Sequence, residues 1–380
     1  LRQPGLPDPR LAATHHHPAL TALRVGKPAA QGLELPPPSD NPHPLSITQR
    51  PVLREARRTV ACVVGQTWAV KRFLRRALIV IVVFLLVVTV GSLTYNAFTG
   101  GTESAPEGLK FVQAGDVNTR YDSWGTTGTP VVLVHGAAES VDTWSRLVPL
   151  LAKTHRVYAY DITGYGYSER KAPYTVEHLA AQLLGFLDAM HLGGPGQPRP
   201  VLVGHSLGAG VAAEATLEAP ARIGGLMFLD GDGLPLPGGA PPTGVIVPPY
   251  RTTLFRLVLG SDWLVRRVYK STCGSSCPAM DVDQWVRPFR QPGAEKAVWQ
   301  MTAHGIPAVS ADRLAGLREV PVPTSVVFGA KDTNGGNAVE TAQRIGAPAP
   351  TLIPDANHLT MISNPGDVAT AVDALAARSL

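Results

Sequence analysis

The sequence predicts an α/β fold with a mainly parallel sheet, carried behind one apolar helix long enough to cross a membrane. Three observations carry that prediction. From Leu109 onward, short apolar runs alternate with amphipathic stretches, the pattern of strands joined by crossover helices. Ala77 to Leu93, ALIVIVVFLLVVTVGSL, is almost wholly apolar. Pro200 to Gly208, PVLVGHSLG, is a β-branched run closed by Gly-His-Ser-Leu-Gly, which fits the G-x-S-x-G turn in which a strand stops and opens a helix.

The chain has 380 residues, room for one large domain with appendages. Its charge is uneven: residues 1–76 hold 12 Lys/Arg against 4 Asp/Glu, whereas 77–380 hold 22 against 25. The larger part therefore presents no basic face for nucleic acid. Residues 1–51 contain 11 prolines and little periodicity, so a disordered leader is expected, extending to about residue 70. His15, His16 and His17 have no partner ligands at a fixed spacing and read as a solvated tract. The chain begins at Leu1 and its first methionine is Met190, which leaves the true start of translation open.

Residues 71–99 are expected to form the anchor. Together with Thr94 to Phe98, the apolar run is long enough for a hydrocarbon core of about 30 Å, and it lacks the polar face of a core helix. Lys71, Arg72, Arg75 and Arg76 precede it, while Gly100 to Glu107 carries no positive charge. The positive-inside rule then leaves the N-terminus in the cytoplasm and exports everything after Gly100. A cleaved signal peptide, giving a secreted protein, is the alternative; the length of the run and the lack of a small-x-small site favour the anchor.

The exported part opens with strands over Lys110–Ala114 and Asn118–Ser123, expected as an antiparallel pair. Pro130–Val134 is a buried strand running into His135-Gly136-Ala137-Ala138, followed by a helix over Ser140–Ala152. Arg156–Tyr160 is the next strand, ending in Asp161-Ile162-Thr163-Gly164-Tyr165-Gly166-Tyr167-Ser168. Then come an amphipathic helix over Val176–Leu192, the strand Pro200–Val203, a helix over Leu207–Leu217 and a strand over Ile223–Leu229. Ser206 is the candidate nucleophile. Gly204 and Gly208 suit the strained, crowded turn around it.

Three segments in this order, a strand ending in His135-Gly136, a strand ending in D-x-x-G-x-G-x-S and the turn GHSLG, resemble the α/β-hydrolase superfamily, in its serine esterase and lipase-like branch. The resemblance covers about Leu109 to Leu380 and is specific for fold rather than substrate. It implies a central, mainly parallel sheet in two parts, 109–232 and 321–380, with a helical cap at 233–320 before the acid-bearing strand. It also implies that an acid and then a histidine follow the serine. Asp332, after the strand Pro323–Gly329, and His358, after a last strand within Ala347–Ile353 and before a helix over Asp367–Ala377, stand where they are expected. Asp230 and Asp232 follow an earlier strand, where a minority of hydrolases place the acid; the layout favours Asp332.

The chemistry needs such a trio. A serine hydroxyl is a poor nucleophile at neutral pH, so a histidine must take its proton and later return it to the leaving group, while a carboxylate fixes the tautomer. The oxyanion needs fixed donors; the N–H of Leu207, and by the resemblance that of Ala137, are expected to supply them. His205 is expected to point away from the site and His135 to support the oxyanion loop. His178, His191 and His304 read as surface or loop residues, with His304 the one that could face the pocket, and Asp161 and Ser168 as architectural.

Within 233–320 a Gly/Pro-rich loop, Gly233–Pro249, precedes helical stretches over Tyr250–Leu259, Ser261–Lys270, Met280–Arg290 and Ala294–His304. Phe255, Trp263, Trp285, Phe289 and Trp299 are expected to build the cap core and an apolar pocket roof. Cys273 and Cys277, in an exported domain and without further ligands nearby, are expected to pair as a local disulfide, leaving Cys62 a free cytoplasmic thiol.

The expected activity is a membrane-anchored, extracytoplasmic serine hydrolase, without metal or organic cofactor, that cleaves an apolar small-molecule ester through an acyl-enzyme. Acyl transfer, cofactor-free perhydrolysis and peptide cleavage use the same trio. A non-catalytic ligand-binding relative is the alternative of another class.

Overall fold

A computed structural model describes residues 49–100, 103–235 and 247–379. The leader before Gln49, including His15 to His17, and most of the Gly/Pro-rich loop lie outside the described residues. The chain divides into two compact units, Leu1–Ala77 and Leu78–Leu380.

Helix α1, Gln49–Thr99, belongs in part to each unit. It starts well before residue 71, where the anchor was expected to begin. No proline occurs between Pro51 and Pro106, so nothing removes a donor from the i→i−4 ladder over that length. Within the first unit the Arg72 guanidinium stacks on Trp68, 3.9 Å from the ring centroid. Val70–Thr99 is long and apolar enough to cross a membrane, and Phe84, Val87 and Val90 on it are exposed.

The second unit is built on one eight-stranded sheet in the order β1-β2-β4-β3-β5-β6-β7-β8. The strands are β1 Lys110–Ala114, β2 Val117–Trp124, β3 Pro130–Val134, β4 Arg156–Tyr160, β5 Val201–His205, β6 Gly225–Leu229, β7 Thr324–Gly329 and β8 Thr351–Ile353. β1 pairs antiparallel with β2, and β2 with β4; every later pairing is parallel. Strands such as β3, PVVLV, are buried at every position, because helices cover both faces of a parallel sheet.

Alternation along the strands sorts the core into two layers. Val132, Val134, Leu202 and Phe228 face α3, Val176–Ala189, and α4, Leu207–Glu218. Val131, Leu133, Val203 and Leu229 join Leu147, Leu151, Val368 and Val372 on the opposite face. The helix expected over Ser140–Ala152 is instead a 3-10 turn, Val141–Trp144, and a single turn α2, Val148–Leu151. Pro149 cannot donate to the carbonyl four residues earlier and so breaks the run.

Between β6 and β7 stands a helical segment: α5 Tyr250–Leu259, α6 Asp262–Cys273, α7 Val282–Val286, α8 Ala294–His304 and α9 Ala311–Ala315. The stretch Met280–Arg290 is split, since Pro288 turns the chain into a 3-10 helix at Arg287–Arg290. Phe255 meets Phe289 edge to face at 6.2 Å, and Tyr269 meets Trp285 at 5.8 Å. Trp263 does not join them: it is 69% exposed, against the expectation of a cap-core residue. It stands near the start of an α6 whose exposed positions include Arg266, Arg267 and Lys270, so the apolar side facing inward is narrow. α10 Ala338–Ile345, α11 Thr360–Ser363 and α12 Pro365–Ala376 complete the fold.

Candidate active site

The turn at residue 206 sits where β5 meets α4. Its backbone has φ 51° and ψ −119°, a conformation costly for a side-chain-bearing residue, which persists only where packing forces it. The packing here is close. A Cβ on Gly204 would stand 2.3 Å from the Gly208 carbonyl oxygen, and one on Gly208 would stand 2.2 Å from that of Val134. The Ser206 N–H donates to the Leu229 carbonyl at 3.0 Å, fixing the turn to β6.

The structure brings Ser206, His358 and Asp332 into one line of hydrogen bonds. Ser206 Oγ lies 3.1 Å from His358 Nε2. On the other side of the ring, His358 Nδ1 lies 2.9 Å from Asp332 Oδ2. The carboxylate accepts at that site, so Nδ1 carries the proton and Nε2 is left to accept from the serine hydroxyl. Asp332 Oδ1 accepts from the N–H groups of Asn334 and Gly335 at 2.7 and 3.1 Å. Burial raises the affinity of this carboxylate for a proton, but the His358 hydrogen bond and charge and the two N–H groups outweigh it and hold Asp332 below the usual range.

Asp230 and Asp232 are not in that line. Asp230 Oδ1 accepts from the Gly329 N–H at 2.8 Å, and its Oδ2 accepts from the N–H and hydroxyl of Thr360 at 3.0 and 2.5 Å. It ties β6 to β7 and to the start of α11, and burial pushes it up to about 6. Asp232 caps the turn at Leu234.

Leu207 is the first residue of α4, so its N–H lies outside the intrahelical ladder and is free to face the space above Ser206. Ala137 follows Gly136, where a Cβ would meet Ser206 Cβ at 3.0 Å. His135 supports this loop: Nδ1 donates to the Gly136 carbonyl at 2.7 Å and Nε2 accepts from the Ile162 N–H at 2.9 Å. Those partners fix a neutral ring, and burial holds its pKa low. Asp161 and Ser168 are architectural: Asp161 accepts from the N–H groups of Val141 and Tyr167, and Ser168 bridges the Asp161 carbonyl and the Arg120 N–H.

His205 is fully buried. It points away from Ser206 but under His358: its Nε2 lies 2.8 Å from the His358 carbonyl oxygen and its Nδ1 3.0 Å from Glu139 Oε1. Both partners are acceptors, so both ring nitrogens donate and the ring is an imidazolium. Burial opposes that charge, but the Glu139 carboxylate overcomes it and raises His205 to about 9. Glu139 also accepts from the Gly136 N–H at 3.0 Å. Sequence reasoning passed over Glu139; the signal was an acid three residues after the glycine of His135-Gly136, buried only because it has a cation to meet.

The side chain of His178 binds Asp116 and that of His191 is exposed; the side chain of His304 lies outside the described residues. Cys273 and Cys277 form a disulfide with Cα atoms 5.9 Å apart, and Cys62 is a free, exposed cysteine. Among the described residues no group of three or more His, Cys, Asp or Glu side chains could hold a metal ion. A narrow cavity beside the loop after β3 is lined by Ala138, Glu139 and Asp142 on one side, by Arg170, and by Trp285 and Phe289 of the helical segment on the other.

Residues 131–371 match the pattern of the alpha/beta hydrolase family. The chain is 34% identical over 141 residues to the 2-hydroxymuconate semialdehyde hydrolase of Pseudomonas sp. (strain CF600), covering 36% of this chain and 47% of that one. It is 31% identical over 206 residues to epoxide hydrolase A of Mycobacterium tuberculosis, covering 52% and 59%. The chain thus spans about half the length of the curated relatives it matches. Its fold is similar to that of a thermophilic esterase from Thermogutta terrifontis, with a TM-score of 0.57 at 23% identity, covering 71% of this chain and 100% of that one.

Proposed function

We propose, for a chain that belongs to the alpha/beta hydrolase family, a membrane-anchored serine hydrolase that cleaves an apolar carboxylic ester or similar acyl bond. The observation that carries the reading is the hydrogen-bonded line from Asp332 through His358 to Ser206, at 2.9 and 3.1 Å. Nothing else in the described fold offers a nucleophile beside a base that is itself oriented by an acid, the arrangement nucleophilic catalysis needs.

In this mechanism Ser206 Oγ attacks the ester carbonyl carbon as His358 Nε2 takes its proton. The carbonyl oxygen becomes an oxyanion between the N–H groups of Leu207 and Ala137, each donor contributing on the order of 10²–10³ in rate. Collapse of the tetrahedral adduct breaks the bond to the alcohol oxygen, to which His358 returns the proton. Water then repeats the sequence on the acyl-enzyme and frees the acid and Ser206. Asp332 holds the ring and stabilises its cation throughout.

Two further parts of the proposal rest on chemistry around the site. The helical segment between β6 and β7 serves as the cap, and its aromatic packing, Phe255 on Phe289 and Tyr269 on Trp285, favours an apolar acyl group over sugars or charged peptides. The apolar stretch of α1 anchors the chain, with the hydrolase outside the cytoplasm, because Lys71, Arg72, Arg75 and Arg76 stand on one side of it only.

The test is labelling with a fluorophosphonate followed by turnover of a chromogenic ester panel of increasing chain length, beside an amide and a perhydrolysis assay. The expected result is stoichiometric labelling that Ser206→Ala abolishes, with turnover greatest for the longer esters. Labelling retained in Ser206→Ala would overturn the nucleophile, and faster turnover of the amide would overturn the ester.

A further inference from the structure

Helix α5 lies along the outer end of α1 and is hydrogen-bonded to it. The hydroxyls of Thr89 and Tyr250 are 2.6 Å apart. Asn96 Nδ2 donates to the Pro249 carbonyl at 3.0 Å, Thr253 Oγ1 donates to Asn96 Oδ1 at 3.0 Å, and an Arg256 N–H donates to the Asn96 carbonyl at 2.8 Å. Thr89 and Asn96 are two turns apart, roughly 10 Å along the axis. The start of α5 therefore accompanies α1 over the last part of its apolar run, where a spanning helix leaves the hydrocarbon.

What α5 and α6 turn outward suits that location. Leu254 and Leu257 are 46% and 51% exposed, Val247 just before α5 is 54% exposed, and Trp263 and Val268 are 69% and 55% exposed. Beside them on α6 stand Arg266, Arg267 and Lys270, also exposed, and the Arg267 guanidinium lies 5.7 Å from the Trp263 ring centroid. From Tyr250 to Cys273 the acidic residue is Asp262, against four Arg and one Lys. A tryptophan and branched apolar side chains interleaved with cations form the face of a helix that lies in an anionic lipid interface, with cations at the phosphates and apolar groups among the acyl chains. A protein partner would need a matched acidic surface. A bilayer next to α1 is already in reach.

We propose that α5 and α6 form a foot that lies in the headgroup layer of an anionic bilayer beside α1, and that the enzyme takes its ester from that layer. The substrate class is then a membrane-resident lipid ester rather than a freely dissolved one. This rests on the anchored serine hydrolase reading above. The foot also reaches the site. The Thr272 carbonyl in the last turn of α6 accepts from the His358 N–H at 3.0 Å, and the Ser271 carbonyl accepts from Asn357 Nδ2 at 3.4 Å.

The experiment uses the full chain in vesicles of phosphatidylglycerol and phosphatidylcholine whose acyl chains carry bromine, a contact quencher of tryptophan. The expected result is that Trp263→Phe removes a strongly quenched part of the emission, and that the part grows with the phosphatidylglycerol fraction. Arg267→Glu with Lys270→Glu should lower turnover of a vesicle-borne ester on the order of tenfold and leave a soluble short-chain ester within twofold. Equal quenching in the parent and Trp263→Phe, or an equal loss of turnover on both esters, overturns the foot. Quenching needs no turnover, so it decides the foot even if Ser206 cleaves nothing. A chain that alkaline carbonate extracts from the vesicles would sink the anchor, and quenching on the same sample still decides the foot.

Discussion

Glu139 and His205 form a buried ion pair beside the turn that carries Ser206, with Glu139 Oε1 3.0 Å from His205 Nδ1. The pair touches both halves of the proposed machinery. Glu139 holds the Gly136 N–H next to the oxyanion loop, and His205 holds the carbonyl of His358. Burial pushes Glu139 up, but the His205 charge and the two hydrogen bonds prevail and its pKa is lowered.

Glu139→Gln keeps the shape and removes the charge, leaving an imidazolium buried without its counter-ion. Breaking such a pair typically costs about 3–5 kcal/mol. Denaturant unfolding should show a loss of that order, and ester turnover should fall in kcat with little change in KM. A stability within about 0.5 kcal/mol of the parent, the scatter of ordinary surface changes, would show that the pair does not matter.

The same pair sets an alkaline limit. His205 is raised from 6.5 to about 9 in the fold, so the folded state binds its proton more tightly than the unfolded chain. That contribution is fully present below about pH 6.5 and is lost as pH rises through about 9. Tm measured from pH 6 to pH 10 should fall across this window, and His205→Gln should flatten the fall. An equally steep fall in His205→Gln would assign it to other groups.

The choice of acid is also testable. Asp332→Asn should lower kcat by about 10⁴, because an amide can hold His358 in the wrong tautomer. Asp230→Asn should leave kcat within about tenfold and act on stability, since Asp230 meets Gly329 and Thr360 rather than His358. The reverse order of effects in steady-state kinetics would move the acid to the end of β6.

Cys273 and Cys277 close a short loop at the end of α6. Chain entropy alone gives such a loop about 2 kcal/mol. Replacing both with serine should lower unfolding stability by about that amount. It should also lower kcat several-fold, because Thr272, which holds the His358 N–H, is the residue before the bridge. Unchanged kcat with lowered stability would leave the bridge a structural role only.

Much of the fold was legible because its signals are local. The β-branched runs of β3, β5 and β6 are buried on both faces and read as strands without help, and the span of α5 is as expected. Turn chemistry and chain order also mark Ser206, Asp332 and His358, whose side chains the fold brings within hydrogen-bond distance. Less legible was whatever depends on contacts between distant segments. Glu139 and His205 are 66 residues apart, and neither signals the other until β3 and β5 lie side by side. Pro149 and Pro288 broke helices that apolar periodicity joined. Trp263 read as core because aromatic side chains usually are, and only the packing of α6 shows it exposed among the described residues.

With the foot docked as proposed, the hydrogen bond from His358 N–H to the Thr272 carbonyl would link lipid docking to the site. Coupling between two binding sites is reciprocal, so whatever lipid docking does to the affinity of the site, occupancy of the site does to lipid docking by the same factor. A reversible boronate bound at Ser206 should then change its dissociation constant between detergent and anionic vesicles, and should shift Trp263 quenching in the matching direction. An enzyme wired in this way would hold the bilayer differently when loaded than when empty, and its residence on a patch of lipid would follow its own supply of substrate.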